Sequence, residues 1–264
     1  MSMLTAWLRP KTALFRFEDA EFRYEPYPIG LALPVFEEAL YRELLQAWPA
    51  DRLFAFMPKL GKKYSLSEVN NAAEYHQFLQ RTPIWNEVHA EVKSAAFVRR
   101  VLAVLRDAGI DLGISDEVAV NQPANGSASL SRSVATLQSQ RATSLKTRFE
   151  FSMLPADGGH IKPHTDSPGK LITLVASFCD EGEWDSSFGG GTTVLRAVDP
   201  RQSFNHLNRQ LEFAETEVLH TFPFQPNQCV IFVKTFNSLH AVSPMRGAGS
   251  PAMRKTLTIN IEIA

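Results

Sequence analysis

Alternation of polar and apolar residues with a period of two is the feature that most constrains the fold of this chain. In residues 254–263, every second residue from Leu257 to Ile263 is leucine or isoleucine, and the residues between them are polar. Side chains two apart on a strand lie on the same face, so this pattern predicts a strand with one buried and one polar face. The same alternation predicts a strand from residue 148 onward, and short apolar runs predict others at 171–178, 192–195, 217–222 and 228–233. Many short strands separated by glycine and proline predict a mainly β chain with a double-sheet jelly-roll core.

Helical patterns occupy part of the first 120 residues. Between Pro34 and Pro49, large apolar residues recur at every fourth position from Phe36, which predicts an amphipathic helix. Residues 83–108 keep a helical period that fits either two helices or one kinked helix. Residues 14–33 are predicted to form short extended pieces, one of them an edge strand. We expect these elements to pack on one sheet of the core.

The chain divides into three parts within what we expect to be one structural domain. Residues 1–120 are predicted to form a helical and extended cap packed on the core, residues 121–147 a flexible loop, and residues 148–264 the jelly-roll core. The loop is rich in serine and threonine and holds few large apolar residues, so it can bury little surface. Long loops of this kind are either lids or disordered, and we favour a mobile segment over the mouth of the active site.

The composition excludes several classes of protein. Hydrophobic residues make up 44% and charged residues 21% of the 264 residues, which is typical of a globular protein and not of a disordered one. The formal net charge of −1 argues against a nucleic-acid-binding surface. No stretch approaches the roughly 20 apolar residues of a membrane span, and the amino terminus has too short an apolar run for a secretory signal. The two cysteines, Cys179 and Cys229, lie in strand-like apolar runs and are predicted to be reduced, which favours a cytoplasmic protein.

His164 and Asp166 form a candidate metal clasp. If they lie on a strand, their side chains point to the same face, with Cα atoms about 6.5–7 Å apart. A third ligand must then come from far along the chain, and His240 is a candidate because it follows the apolar run 229–233. Two imidazoles and one carboxylate on one side of an ion form the facial arrangement of non-haem Fe(II) oxygenases. A chance surface turn is the alternative for any isolated His-x-Asp sequence.

Four motifs in the second half of the chain carry a resemblance to a known superfamily. They are Pro-His-Thr-Asp-Ser-Pro at 163–168, Gly-Gly-Gly-Thr-Thr-Val-Leu at 189–195, Ser-Leu-His-Ala-Val-Ser-Pro at 238–244 and Arg-Lys-Thr-Leu-Thr-Ile at 254–259. In their order and spacing they resemble the Fe(II)/2-oxoglutarate-dependent dioxygenases, and within these the prolyl-4-hydroxylase-like branch. The resemblance covers roughly residues 148–264.

The resemblance implies a fold, an iron site and a reaction. It implies a double-stranded β-helix (jelly roll, cupin-like) core with N-terminal helices, and it makes His164, Asp166 and His240 the Fe(II) ligands. It also implies 2-oxoglutarate as cosubstrate and O2 as oxidant, with hydroxylation of an unactivated C–H bond and release of succinate and CO2. Related halogenases replace the carboxylate ligand by a small residue, so the presence of Asp166 disfavours halogenation. Desaturation or ring chemistry stays open.

The distal carboxylate of 2-oxoglutarate needs a fixed cation, and arginine can bind it with two parallel hydrogen bonds. Arg254 and Arg246 are the candidates. Arg254 is favoured because it begins the last predicted strand, where the family usually places this arginine, whereas Arg246 stands in a glycine-rich turn. Thr256 and Thr173 are predicted to donate hydroxyl hydrogen bonds to the same carboxylate, although both also fit ordinary strand positions. Leu154 appears where prolyl hydroxylases often carry a tyrosine for the cosubstrate.

The substrate-binding residues are less constrained by the sequence. Arg148, Trp184, Lys63 and Tyr64 are candidates, the last two because paired lysines and a tyrosine after Gly61 can reach an anionic substrate. A solvated turn is the favoured alternative for this stretch. The predicted substrate is a small molecule such as an amino acid, a sugar or a natural-product intermediate.

Three alternative functions remain open at this point. A prolyl or peptidyl hydroxylase differs from the preferred function only in its substrate. A jelly-roll binding module without catalysis would bind neither Fe(II) nor 2-oxoglutarate. A zinc hydrolase is disfavoured because the His-Glu-x-x-His and His-x-His-x-Asp spacings are absent.

Overall fold

The computed structural model of the protein describes residues 13–121, 143–180 and 182–264. The candidate lid is therefore outside the described residues, except for its two ends. The described helices are α1 (Glu38–Gln46), α2 (Ala72–Arg81), α3 (Pro83–Val92) and α4 (Ala95–Asp107). The described strands are β1 (Glu21–Arg23), β2 (Ile29–Ala32), β3 (Ala55–Met57), β4 (Lys63–Ser67), β5 (Val118–Val120), β6 (Thr143–Pro155), β7 (Ile161–His164), β8 (Lys170–Phe178), β9 (Thr192–Ala197), β10 (Thr216–Phe222), β11 (Cys229–Val233), β12 (His240–Val242) and β13 (Met253–Ile263).

Two antiparallel sheets form the core. The large sheet has the order β1-β2-β11-β8-β13-β6-β4-β3, with β5 added parallel to β6, and the small sheet has the order β10-β9-β12-β7. From β6 onward the chain passes back and forth between the two sheets, which is the path of a jelly roll. The mainly β jelly-roll fold predicted from the alternating pattern is confirmed.

The first 120 residues contribute strands to the core as well as covering it. Strand β2 pairs with β11, strand β4 pairs with β6, and β1 lies at the edge of the large sheet, where an edge strand is predicted. The favoured interpretation of residues 61–68 as a solvated turn is wrong beyond Lys62. Gly61 and Lys62 make the turn with positive φ angles, but Lys63 already begins β4, in which Ser65 and Leu66 are buried.

The helices cover the outer face of the large sheet. Trp85 of α3 is fully buried, and its ring contacts Phe151 of β6 at 4.8 Å and Phe178 of β8 at 5.4 Å between centroids. Its indole nitrogen also donates a hydrogen bond to the Leu44 carbonyl of α1. Burial of aromatic side chains of this size is among the largest sources of stability in a protein core. The expected packing of the helices on one sheet is thus observed.

The structure decides one open alternative, corrects one boundary and adds one helix. The two-helix alternative for residues 83–108 is the correct one, because α3 ends at Val92 and Ser94 caps α4 by accepting a hydrogen bond from the Phe97 amide. Strand β6 begins at Thr143, so residues 143–147 of the predicted loop belong to the core, with Leu145 and Thr147 buried. Helix α2 was not predicted, and it begins after Asn71 without a side-chain cap. Among the described residues, no helix has the length and apolar character needed to cross a membrane.

Candidate metal centre

His164, Asp166 and His240 meet between the two sheets. His164 ends β7 and His240 begins β12, and these neighbouring strands pair directly at the two histidines. The ligand atoms of the three residues all lie within 4.8 Å of one another, with His164 Nε2 3.6 Å from Asp166 Oδ1 and His240 Nε2 3.9 Å from Asp166 Oδ2. Ligand atoms around one ion lie about 3–4 Å apart, so these three converge on a common point.

Backbone carbonyls fix the orientation of both imidazole rings. His164 Nδ1 is 2.9 Å from the Lys162 carbonyl oxygen, and His240 Nδ1 is 2.9 Å from the Ser238 carbonyl oxygen. Because a carbonyl only accepts, each Nδ1 carries the proton and each Nε2 presents a lone pair to the common point. Burial lowers the pKa of His240 to about 3, which keeps this ring neutral and able to bind a metal.

Asp166 is held as an ionised carboxylate. Lys170 Nζ donates to its Oδ1 at 2.7 Å and Thr173 Oγ1 donates to its Oδ2 at 2.9 Å. Burial raises the pKa of the Asp166 carboxyl, but the interactions with His164, His240 and Lys170 outweigh it, and the pKa lies well below its usual range. Two neutral imidazoles and an ionised carboxylate fit a divalent transition metal such as Fe(II).

Arg254 lies in the same cavity as these three residues and is buried. Its Nε donates to the Gly190 carbonyl oxygen at 2.5 Å, and its guanidinium group stands over the Phe224 ring at 5.1 Å from the centroid. No carboxylate of the described residues forms an ion pair with it. Burial lowers its pKa to about 10, so the group is still charged at neutral pH. A buried cation without a counter-ion is a site for an anion.

The other residues predicted to bind the cosubstrate differ in whether they lie near Arg254. Thr256 lines the cavity beside Arg254. Thr173 also lines it, but its hydroxyl is 2.9 Å from both Asp166 Oδ2 and Asn260 Oδ1, which ties it to a metal ligand and not to the neighbourhood of Arg254. Arg246 is exposed and does not line the cavity, so of the two candidate arginines only Arg254 faces it.

The inner face of the large sheet forms one wall of the cavity. Cross-strand neighbours place Leu154 beside Arg254, Ser152 beside Thr256, Glu150 beside Thr258, and Arg148 beside Asn260. All eight of these residues line the cavity. The wall therefore changes from an apolar and cationic end at Arg254 to a polar and charged end at Arg148.

Two of the four candidate substrate residues line this cavity and two do not. Arg148 and Lys63 are part of its wall. Tyr64 points to the other face of β4, where its ring packs on Phe56 at 4.7 Å. Trp184 packs on Phe224 at 5.0 Å, and its indole nitrogen donates to the Gly189 carbonyl. A substrate-binding role for Tyr64 and Trp184 in this cavity is therefore not supported, because both rings are used in packing.

Six polar residues of the cavity were not predicted as site residues. They are Glu150, Ser152, Lys170, Thr192, Thr258 and Asn260. Lys170 lies four residues after Asp166, so its nearness to the ligand is a signal that the sequence offers. Glu150 and Asn260 occupy polar positions of the predicted strands, but alternation does not tell which polar face is a solvent face and which is a cavity wall.

Comparison with solved structures identifies the fold. The non-haem α-ketoglutarate-dependent epimerase SnoN from nogalamycin biosynthesis is similar with a TM-score of 0.51 and 12% sequence identity, over 92% of this chain and 81% of that chain. The chain has the fold of the 2-oxoglutarate/Fe(II) oxygenases. The superfamily resemblance read from the four motifs is thus confirmed as a likeness of fold, and the activity is inferred from the residues of the site.

Two prolyl hydroxylases are also similar, at lower TM-scores. One is a prolyl-4-hydroxylase from Pseudomonas putida, with a TM-score of 0.47 and 13% identity over 91% of this chain and 95% of that chain. The other, from Trichoplax adhaerens, was solved with a peptide of hypoxia inducible factor and has a TM-score of 0.47 and 11% identity over 89% of this chain and 83% of that chain. No family model and no curated protein matches the sequence.

Proposed function

We propose that this protein is an Fe(II)- and 2-oxoglutarate-dependent oxygenase that hydroxylates an unactivated C–H bond of a small molecule, with release of succinate and CO2. The observation that carries the proposal is the presence of two complementary parts in one cavity. One is the cluster of His164, Asp166 and His240, and the other is the buried Arg254, which has no counter-ion among the described residues. A metal site alone fits many functions, but a metal site facing a buried free arginine fits a cosubstrate that both chelates a metal and carries a second carboxylate.

Different residues of the cavity would bind the metal and the cosubstrate. His164, Asp166 and His240 would hold Fe(II) from one side, which leaves its other positions for ligands that are not part of the chain. Bound iron with 2-oxoglutarate supplies O2 activation coupled to oxidative decarboxylation of the cosubstrate to succinate and CO2. Arg254 would bind the distal carboxylate of 2-oxoglutarate through its guanidinium group.

The surroundings of Arg254 strengthen this assignment. Leu154, Val242 and Met245 form an apolar cluster, and Leu154 is the cross-strand neighbour of Arg254. Leu154 and Val242 also line the cavity. Low polarity there strengthens the attraction between a carboxylate and the guanidinium group. The Gly190 carbonyl and the Phe224 ring hold the arginine in place before an anion arrives, which lowers the entropic cost of binding.

An anaerobic titration of the metal-free protein with Fe(II) and then 2-oxoglutarate tests the proposal. The expected result is the weak visible charge-transfer band of a keto acid chelated to iron. Asp166→Ala should abolish the band, and Arg254→Gln should require a far higher concentration of 2-oxoglutarate. Arg246→Gln is the matched control, since this arginine is exposed and outside the cavity, and should titrate like the wild type. Well-folded wild-type protein without a band would contradict the proposal and favour a binding module without catalysis.

A further inference from the structure

A second arginine of the cavity lies too far from Arg254 to serve the same ligand. Arg148 pairs across the strands with Asn260, which is six residues from Arg254 on β13. At about 3.3 Å per residue, this separates the two arginine backbones by roughly 20 Å. A five-carbon dicarboxylate bound at Arg254 is much shorter than this distance. Arg148 is therefore available to a different ligand.

The guanidinium group of Arg148 makes few interactions with the described residues of the protein. Its side chain is 37% exposed, and among the described residues the single carboxylate in ion-pair contact with its guanidinium group is Glu262, at 3.9 Å. That distance is too long for a hydrogen bond, and no hydrogen bond from Arg148 to another described residue is present. The five N–H donors of Arg148 thus remain free for a planar anionic group such as a carboxylate.

Glu150 supplies an acceptor beside this arginine. It is buried in the cavity wall, and its Oε1 accepts hydrogen bonds from Lys63 at 2.5 Å and Ser65 at 2.9 Å. Burial raises the pKa of Glu150, but Lys63 and Ser65 outweigh this effect and the pKa is lowered, so the carboxylate is ionised. Its Oε2 has no hydrogen bond to another described residue. One oxygen of this carboxylate in the cavity wall is therefore without a hydrogen-bond donor among the described residues.

Arg148 and Glu150 are of opposite charge but do not pair with each other. They stand two apart on β6, so their side chains leave the same face from Cα atoms about 6.5–7 Å apart. The charge of Arg148 acts on Glu150, yet no ion pair joins the two groups. The arrangement places a cation without a hydrogen bond to the described residues beside a carboxylate that uses one of its two oxygens to bind Lys63 and Ser65.

A ligand with a single charge fits this arrangement poorly. An anion bound to Arg148 is repelled by Glu150, and a cation bound to Glu150 is repelled by Arg148 and Lys63. A ligand with a carboxylate and an ammonium group on the same carbon satisfies both residues at once. We propose that the substrate is a small zwitterion, an α-amino acid or a close derivative with a free amino and carboxyl group, held by Arg148 at its carboxylate and by Glu150 at its ammonium group. This inference rests on the proposed oxygenase function.

The position of the metal relative to Arg148 indicates which part of such a substrate reacts. Asn260 pairs with Arg148 on one side and with Thr173 on the other, and Thr173 bonds to Asp166. Two strand spacings separate Arg148 from Thr173, about 10 Å. The α-carbon held at Arg148 and Glu150 thus stays away from the metal, and the side chain of the amino acid points toward it. The oxidised position is a side-chain carbon.

Binding of the common L-α-amino acids to the protein with Fe(II) and 2-oxoglutarate, measured anaerobically by calorimetry, tests the inference. At least one amino acid should bind and should accelerate succinate release when O2 is admitted. For that amino acid, N-acetylation removes the ammonium group and amidation removes the carboxylate, and each should weaken binding at least tenfold, since each loses a hydrogen bond between charged groups. Arg148→Gln should weaken amino-acid binding by a similar factor and leave 2-oxoglutarate binding unchanged.

Two further variants make the result independent of folding. Glu150→Gln leaves Lys63 without its ion-pair partner. The double variant Lys63→Met/Glu150→Gln is therefore measured beside it. In both variants, the free amino acid should no longer bind more tightly than its N-acetylated form. Arg201→Gln is the control, because this arginine is 90% exposed and paired with Asp199, and it should bind like the wild type.

The possible outcomes separate the inference from the function on which it rests. Normal 2-oxoglutarate binding with no response to any amino acid overturns the inference and leaves the oxygenase function in place. The same holds if acetylated and amidated forms bind as well as the free amino acid. Absence of 2-oxoglutarate binding in the wild type overturns both.

Discussion

Replacement of Arg254 by methionine should change stability and cosubstrate affinity in opposite directions. Burial lowers the pKa of Arg254 from 12.5 to about 10. At about 1.4 kcal/mol for each tenfold change in proton affinity, this corresponds to roughly 3 kcal/mol against burial of the charged group. Methionine has a similar length and no charge, so it removes this cost, although it also removes the hydrogen bond to the Gly190 carbonyl. We expect the metal-free Arg254→Met protein to be more stable than the wild type by about 1–2 kcal/mol.

The same substitution should weaken 2-oxoglutarate binding strongly. A buried carboxylate without its guanidinium partner costs about 2–5 kcal/mol, and the dissociation constant should rise roughly 30- to 4000-fold. Urea denaturation of the metal-free protein measures the first effect, and anaerobic titration of the Fe(II) form with 2-oxoglutarate measures the second. Arg254→Lys keeps the charge but loses the forked geometry of the guanidinium group, so its affinity for 2-oxoglutarate should lie between those of the wild type and Arg254→Met. A variant that is less stable than the wild type but binds 2-oxoglutarate normally would refute the reasoning and make Arg254 a structural residue.

Three other predictions follow from the described contacts. Thr173→Val keeps the shape of the side chain but removes the hydroxyl donor to Asp166 Oδ2, and Fe(II) affinity measured by anaerobic titration should fall about 10- to 100-fold; unchanged affinity would show that the hydroxyl has no part in holding the ligand. Gly61→Ala should destabilise the protein by about 2–4 kcal/mol in urea, because a Cβ at Gly61, where φ is +70°, would lie 1.9 Å from the His160 carbonyl oxygen; Gly113→Ala, with φ +67° but open space, is the control and should cost less. Burial lowers the pKa of His89 in the folded protein to about 4. As the pH falls, the unfolded chain, in which this histidine titrates near pH 6.5, therefore takes up the proton first. Stability that is present at pH 7 is lost between about pH 6.5 and 4. With a discount for partial exposure, the loss from pH 7 to pH 5 should be about 1 kcal/mol smaller in His89→Gln than in the wild type, and equal losses would contradict the assignment to His89.

The β core was predictable because its signal is local. In β13 and β6 one face must be apolar to pack under the helices, and the alternation that results can be read over ten residues without knowledge of the rest of the chain. Helix α2 was missed for the opposite reason. Only Tyr75 and Leu79 of its ten residues are buried, and its start lacks the side-chain cap that marks α4. An apolar stripe of two residues is too short to indicate a helical period.

The candidate site was predictable in the same uneven way. The meeting of His164 and Asp166 was predicted from strand geometry, but β7 ends at His164, and Asp166 lies two residues beyond the strand with a φ of +69°. The contact of Lys63 with Glu150 joins residues 87 positions apart through the pairing of β4 with β6, and no local pattern specifies that pairing. Thr173 shows a third case. Its position in a strand was read correctly, but the sequence does not tell that its hydroxyl reaches Asp166 and lies away from Arg254.

The two faces of the large sheet explain how the chain tolerates so many buried polar groups. The inner face carries Arg254, Glu150 and Asn260, all buried, and isolated burial of such groups is costly. The outer face of the same strands buries Leu257, Ile259 and Phe149 under the helices, where apolar area stabilises the fold. Because adjacent residues of a strand alternate between these two faces, each strand combines a stabilising face with a binding face. Arg254 can therefore stay without a counter-ion among the described residues and remain available to a ligand, since the stability of the sheet comes from its other side.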